Sequence, residues 1–422
     1  MNEAWKKYRL KYLAKVSPLT NIPNLTDDSE VTFLPMNYIR NGYFIPNTDN
    51  LANLNTSYNS FENGDILMAK VTPCFENGNI TIAENLVNGF GYGTSEIFVI
   101  RANKEKLLNR YLIYLLQEYN FKYFATSEMT GVAGLKRVPS SFVEGYFFYI
   151  PDLEKQKAIA NILDKKCEKI DKLISLEETA IIELKEYKKS IIQKAVTKGI
   201  KKGRKLKNSG IEWIGDIPEE WEIYRVKNIF TIQGGNGFPI EEQGKETGDL
   251  PFFKNSDIND ESFFVEIAKN YLMYDDATRL DLNIIPKNSI VMGKIGESLK
   301  KNHRKINLCE CLIDNNMQAL IIKSNDNIEY LKYISKCIDM VWFDNGGTIP
   351  SVNNKYFLAS WLALSSINEQ KEIAEYLDKK TNIVDNLISL KQQKITELKE
   401  YKKSLIFEYV TGKKQPPKKD TK

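Results

Sequence analysis

Apolar positions recur at steps of four and three along residues 152–197, through Ile159, Leu163, Ile170, Leu173, Leu184, Tyr187 and Ile191, with polar residues between them. That spacing predicts one amphipathic helix carrying a coiled-coil stripe. The pattern returns over residues 366–411 as Ile373, Leu377, Val384, Leu387, Leu398, Tyr401 and Leu405, each 214 residues on. The two stretches match without a gap, contain no glycine or proline, and share Glu183–Ser190 letter for letter with Glu397–Ser404. Asp152 and Ser366 stand at the N-cap, Ser366 with Glu369 placed for a capping box, and Gly199 and Gly412 follow the last turn. About 45 residues at ~1.5 Å each make a rod of roughly 65–70 Å. A lone helix cannot bury such a stripe. Antiparallel pairing of the two copies within one chain avoids the entropy cost of association and is the expectation; two independent arms, each dimerising with another molecule, are the alternative. Lys166, Glu177, Lys380 and Lys391 interrupt the stripe and are expected to fix register.

The remaining sequence reads as two mixed segments. In the first, residues 31–35, 64–71, 95–100 and 145–150 have strand character, and residues 104–118 have helical spacing through Leu107, Leu108, Leu112 and Leu115. Turns are expected at Asn77-Gly78 and Gly91-Tyr92-Gly93, and Gly131–Pro139 reads as a flexible basic loop. A basic linker, residues 200–220, leads into the second segment. That segment echoes the first: Tyr224–Lys227 resembles Tyr8–Lys11, Ile290–Ile295 resembles Ile66–Val71, and the loop ending Ile349-Pro350-Ser351 resembles that ending Val138-Pro139-Ser140. The order is therefore globule, helix, globule, helix, an internal duplication. The helices stayed alike while the globules diverged. This predicts two equivalent docking surfaces for one kind of partner, and two globules that read different things.

Composition narrows the chemistry. The 422 residues carry a net charge of +4 and no apolar run long enough to cross a membrane. Five scattered cysteines fit a reduced, cytoplasmic protein better than a disulfide framework. A single histidine, His303, leaves Cys309-x-Cys311 without the ligands of a zinc site, so no metal is expected. Lysines and arginines gather at residues 198–207 and again at Lys413, Lys414, Lys418 and Lys419, which hints at a polyanion nearby. No phosphate-binding Gly-x-x-x-x-Gly-Lys loop occurs, and Phe90-Gly91-Tyr92-Gly93 lacks the strand-to-helix setting of a cofactor motif.

The chain resembles the specificity subunits of type I restriction–modification systems over essentially its whole length. The likeness rests on Gly64-Asp65-Ile66-Leu67, on the helix entries Pro151–Ala160 and Ile367–Ala374 with Gln156 and Gln370, and on Trp213–Trp221. Lys155 departs from the acidic residue that Glu369 keeps, and the first globule lacks the Ile-Pro-x-x-Trp lead-in.

The resemblance implies an α+β protein with two target recognition domains, residues 1–151 and 221–365. The helices, 152–199 and 366–412, would form an intramolecular antiparallel coiled coil with pseudo-twofold symmetry, and residues 413–422 a basic tail. It also implies a non-catalytic chain that reads an asymmetric, interrupted site on double-stranded DNA. Two adenine methyltransferase subunits would dock on it, and motor–nuclease subunits through them. S-adenosylmethionine, ATP and Mg would belong to those partners, and the chain itself would carry no cofactor. A coiled-coil scaffold that does not read DNA is the alternative. Lys70, Thr72, Lys136 and Arg137 in the first globule, and Lys294, Lys300, Lys301 and Arg304 in the second, are the candidate DNA contacts. Glu183, Lys185, Glu397 and Lys399 are the candidate docking residues on the outer helix faces.

Overall fold

The two repeated stretches each fold as one unbroken helix, Leu153–Lys198 of 46 residues and Ile367–Val410 of 44. Asp152 caps the first by accepting from the Lys155 amide at 2.9 Å. Gly199 and Gly412 close them at φ +71° and +76°, a region only glycine enters cheaply. The capping box expected at Ser366 is only half made: the Glu369 amide reaches Ser366 Oγ at 3.5 Å, but the Glu369 carboxylate turns to Arg204 and Trp221 instead. The computed structural model describes every residue except 1–4, 21–24, 55–56, 132–133, 261 and 418–422. Val132, Ala133, Lys418 and Lys419 of the segments singled out above therefore lie outside the described residues.

Packing divides the chain into two compact units, Met1–Glu178 with Gln392–Lys422, and Thr179–Lys391. Each unit thus holds one globule with a part of both long helices. In the first, Lys402 pairs with Asp171 at 2.7 Å and Lys394 with Glu177 at 2.6 Å; in the second, Lys188 pairs with Asp385 at 2.7 Å and Lys201 with Glu372 at 3.2 Å. Partner numbers fall on one helix as they rise on the other, so the helices run antiparallel in each unit. The Asp171–Lys402 and Asp385–Lys188 pairs are the same pair, exchanged by the 214-residue repeat.

The buried seam differs from the predicted stripe. It runs through Ile159, Leu163, Cys167, Ile170, Ile174, Glu177 and Ile181, and through Ile373, Leu377, Thr381, Val384 and Ile395. Leu173, Tyr187, Leu387 and Tyr401 instead face outward, between 42% and 54% exposed. The reason is phase. Strict heptad steps from Cys167 lead to Ile174, not Leu173, and one residue turns a helix by ~100°.

In the first globule β1 (Lys6–Arg9) pairs with β10 (Phe147–Ile150). The strands β2 (Ala14–Val16), β6 (Ile66–Ala69), β7 (Ile80–Ile82) and β9 (Ile97–Ala102) form one antiparallel sheet in the order β2-β9-β6-β7. A second sheet, β4-β3-β8-β5, contains β3 (Glu30–Leu34), β4 (Thr48–Asn50), β5 (Asn59–Glu62) and β8 (Phe90–Gly93). The expected turn at Gly91–Gly93 is thus a strand. Its glycines answer a crossing ring, since a Cβ on Gly91 would stand 2.7 Å from Phe61. The helix expected over residues 104–118 is confined to Asn109–Leu116.

The second globule repeats this plan. Here β13 (Glu222–Arg225) pairs with β22 (Trp361–Leu364), and a five-stranded sheet has the order β14-β21-β18-β19-β16. Its members are β14 (Phe230–Gly234), β16 (Phe264–Val265), β18 (Ile290–Gly293), β19 (Arg304–Asn307) and β21 (Met317–Ile322). A smaller sheet, β17-β15-β20, joins β15 (Leu250–Phe253), β17 (Tyr271–Leu272) and β20 (Leu312–Ile313). The expected linker is a structured hairpin, β11 (Leu206–Asn208) with β12 (Asp216–Pro218), whose Ile217 is fully buried.

Candidate nucleic-acid interface

Each globule is fastened to the long helices by the same three groups, two on the helix that follows it and one on the end of the other. Gln156, wholly buried, accepts from the Leu108 amide at 3.0 Å and donates to the carbonyls of Lys106 and Pro151, each at 2.9 Å. Gln370 repeats this, accepting from the Asn327 amide at 2.9 Å and donating to the Ser365 carbonyl at 3.0 Å. Leu108 and Asn327 both stand at the N-cap of the next helix, so one side chain ties that helix to the rod. Tyr114 donates to Asp164 at 2.7 Å and Tyr333 to Asp378 at 2.6 Å. Tyr111 donates to the Val410 carbonyl and Tyr330 to the Val196 carbonyl. Burial pushes all four phenols well above their ordinary range, so they stay protonated and able to donate. The tyrosines escaped sequence reading, although Tyr111-x-x-Tyr114 and Tyr330-x-x-Tyr333 are a repeated signal.

The anchored strands end in matching loops. Lys70 follows β6 and its carbonyl accepts from the Val138 amide at 2.9 Å; Lys294 follows β18 and its carbonyl accepts from the Val352 amide at 3.0 Å. Thr130 and Arg137 close one loop through paired backbone hydrogen bonds, and Asp344 and Val352 bridge the other. Burial is the largest influence on Lys70; it lowers the ammonium's pKa, helped by Arg137 and opposed by Glu96. Lys136 is exposed at the foot of its loop, beside Arg137, and neither it nor Lys294 has a side-chain hydrogen bond or ion pair among the described residues.

The other candidates divide. Arg137 is held by Glu96 through two hydrogen bonds, at 2.7 and 3.1 Å, and Thr72 Oγ1 is spent on Gly134 and Lys136 backbone. Lys300 pairs with Glu297 at 2.8 Å on the surface. Arg304 is misplaced as a DNA contact: it is 2% exposed and donates to the Ile338 carbonyl and Asn302 inside the globule. Desolvation pushes its pKa down to about 10. All four residues of β19 are buried, so the polar Arg304 and Lys305 gave no outward signal. Lys301 lines a polar hollow of about 380 Å³ with Asn255, Asn259, Ser298, His303 and Asn316. Amides of this kind can both donate to and accept from base edges. They come from a short helix, its exit and a turn spread over about sixty residues, and no local pattern announced them.

On the helices Glu183 and Lys185 are exposed, Glu397 accepts from Gln393 at 2.8 Å, and Lys399 lies 3.8 Å from Glu178. The larger outward feature is apolar. Leu173, Leu176 and Tyr187 are exposed, and so are Leu387, Leu390 and Tyr401, the same residues 214 positions on.

Two globules are thus fastened by one repeated set of anchors to the long helices, antiparallel within each unit, and unlike loops stand at matching strand ends. The chain belongs to the type I restriction modification DNA specificity domain family, whose pattern matches residues 2–186 and 218–400. It is 34% identical over 160 residues to the type I restriction enzyme EcoAI specificity subunit of Escherichia coli, covering 37% of this chain and 27% of that one. It is 26% identical over 330 residues to the MjaVIII specificity subunit of Methanocaldococcus jannaschii, covering 76% and 73%. In three dimensions it is similar to a chain from a study of complex assembly and conformational transition in the type I R-M system, with TM-score 0.74, 16% identity and coverage of 97% and 98%. The HsdS subunit from Thermoanaerobacter tengcongensis matches with TM-score 0.52, 16% identity and 98% of both chains. The type I specificity fold is thereby established. No helix among the described residues is long and apolar enough to cross a membrane.

Proposed function

We propose that this chain reads double-stranded DNA at two unlike half-sites separated by an unread gap, while its paired helices hold two adenine methyltransferase subunits. Motor–nuclease subunits join through those, and S-adenosylmethionine, ATP and Mg act in the partners. One observation carries the reading. The anchors Gln156, Tyr114 and Asp164 recur as Gln370, Tyr333 and Asp378, whereas the loops they support share neither length nor charge. Equivalent mounting with unequal tips is what two different half-sites require. Fluorescence anisotropy of duplex DNA, with and without the methyltransferase partner, separates this reading from a scaffold that ignores DNA. Methylome sequencing of a host carrying the system then gives the half-sites.

Lys136 and Lys294, unpaired among the described residues and beside the strand-end loops, serve as phosphate contacts. Replacing each with Ala is expected to weaken binding on all sequences alike and to reduce the salt slope by about one. A change in base preference with an unchanged slope would make them readers of bases instead.

The repeated Leu173, Leu176 and Tyr401 in one unit, and Leu387, Leu390 and Tyr187 in the other, supply two like surfaces for two copies of one partner. Leu176→Ser with Leu390→Ser is expected to weaken methyltransferase assembly by roughly tenfold or more per site, at about 1.5–3 kcal/mol for a buried Leu. Calorimetric titration reads both affinity and stoichiometry. Glu183→Lys with Glu397→Lys tests the neighbouring charges; normal assembly of both double variants would move the docking surface to the globules.

A further inference from the structure

In the first unit, beside the end of the second long helix, lies an open groove of about 690 Å³ lined by Trp5, Leu115, Tyr146, Phe148, Phe407 and Val410. The repeat supplies a filled counterpart in the second unit. Trp221 stands where Trp5 does, each indole against the glycine that closes a long helix: a Cβ on Gly412 would lie 3.1 Å from Trp5, and one on Gly199 3.5 Å from Trp221. The strand pairs match too, with Arg9 over Phe147 at 5.0 Å and Arg225 over Trp361 at 4.4 Å. In the second unit the space is taken by the β11–β12 hairpin. Its Ile214 and Ile217 are buried in one cluster with Val196, Trp221, Ile334 and Leu362, the counterparts of Val410, Trp5, Leu115 and Phe148.

The charge at the groove is inverted between the units. Glu369 accepts from Trp221 Nε1 at 3.3 Å and from Arg204, which arrives with the hairpin. Lys155 holds the register position of Glu369 in the first unit, its ammonium 5.9 Å from the Trp5 ring, and Trp5 Nε1 is buried with no acceptor among the described residues. Lys413, over Phe407 at 4.4 Å, adds a cation to the lining, while the Glu118 carboxylate, also in the lining, is occupied by the Asn120 and Phe121 amides at 2.8 and 3.0 Å.

We infer that this groove docks an extended segment of a partner protein, bearing two aliphatic side chains three residues apart and a carboxylate. The aliphatic pair fills the places that Ile214 and Ile217 fill in the second unit. The carboxylate pairs with Lys155 and accepts from Trp5 Nε1, satisfying a donor that is costly to bury alone. An aromatic floor under a cationic rim fits such a peptide better than a phosphate backbone. In the second unit the hairpin fills the counterpart, so this partner is taken once per chain. The inference rests on the internal repeat and not on DNA reading.

The test uses the full chain and a fluorescent peptide with the sequence Gly203–Glu220 carrying Arg204→Glu. Saturable binding is expected, about tenfold tighter than for the peptide that keeps Arg204. Lys155→Glu in the full chain is expected to reverse that order, and Trp5→Phe to weaken the acidic peptide while DNA binding is unchanged. Absence of saturable binding by either peptide, or an order indifferent to Lys155→Glu, overturns the proposal. Displacement of the bound peptide by duplex DNA would also overturn it, and would assign the groove to nucleic acid.

Discussion

Inserting one heptad after Ala180 and another after Lys394 is expected to lengthen the preferred gap between half-sites by up to about three base pairs and to leave both half-sites unchanged. The insertion points are matching positions of the repeat, and a heptad keeps the seam in phase. Seven residues add ~10 Å of helix at ~1.5 Å each, against ~3.4 Å per base pair. Insertion of four residues breaks the phase of Ile174, Glu177 and Ile181 and is expected to disturb the pairing itself. Methylome sequencing or selection from a randomised-gap library reads the outcome. Changed half-site bases at a constant gap would remove the helices from the role of ruler.

Arg204→Ala is expected to destabilise the second unit by roughly 3–5 kcal/mol, because it strands a buried carboxylate. The Glu369 side chain is 6% exposed and Arg204 12%, and Arg204 also reaches Glu220. The guanidinium's pKa is held above its ordinary value chiefly by the hydrogen bond to Glu369. Gly199 shares the site: a Cβ there would stand 2.7 Å from Arg204 Nη1, at a φ of +71° that opposes a side chain. Gly199→Ala is therefore expected to lower stability in the same direction, though by less. Urea unfolding followed by circular dichroism should show an earlier transition for both variants. An unshifted midpoint for Arg204→Ala would mean that solvent screens the pair.

The duplication, the two long helices and their ends were legible because they depend on local spacing repeated over more than forty residues. The phase of the seam was not. Leu173 and Ile174 are adjacent and both apolar, and only the facing helix decides which one is buried. Gln156 and Gln370 were visible as motif positions, but their role depends on Leu108 and Asn327, more than forty residues upstream. Among the candidate contacts, Lys136 is exposed, while Arg304 entered on charge alone and is buried. A positive side chain beside a strand looks the same in sequence whether the strand lies at a rim or under a helix. The hairpin over Trp221 was hidden for the opposite reason: Lys198–Lys207 reads as a solvated run, yet Arg204 folds inward to a carboxylate far along the chain.

The exchanged ion pairs, Asp171–Lys402 and Lys188–Asp385, make each long helix complementary to its own copy. A half-length chain ending after the first helix would find in a second molecule of itself the same partners, Asp171 facing Lys188 twice over. Joining the halves through residues 200–220 turns that encounter into an intramolecular one, at an effective concentration in the millimolar range for short connections. The pairing of the full chain is thereby insensitive to dilution, and the two globules are free to diverge, since neither has to serve as both halves of a symmetric pair.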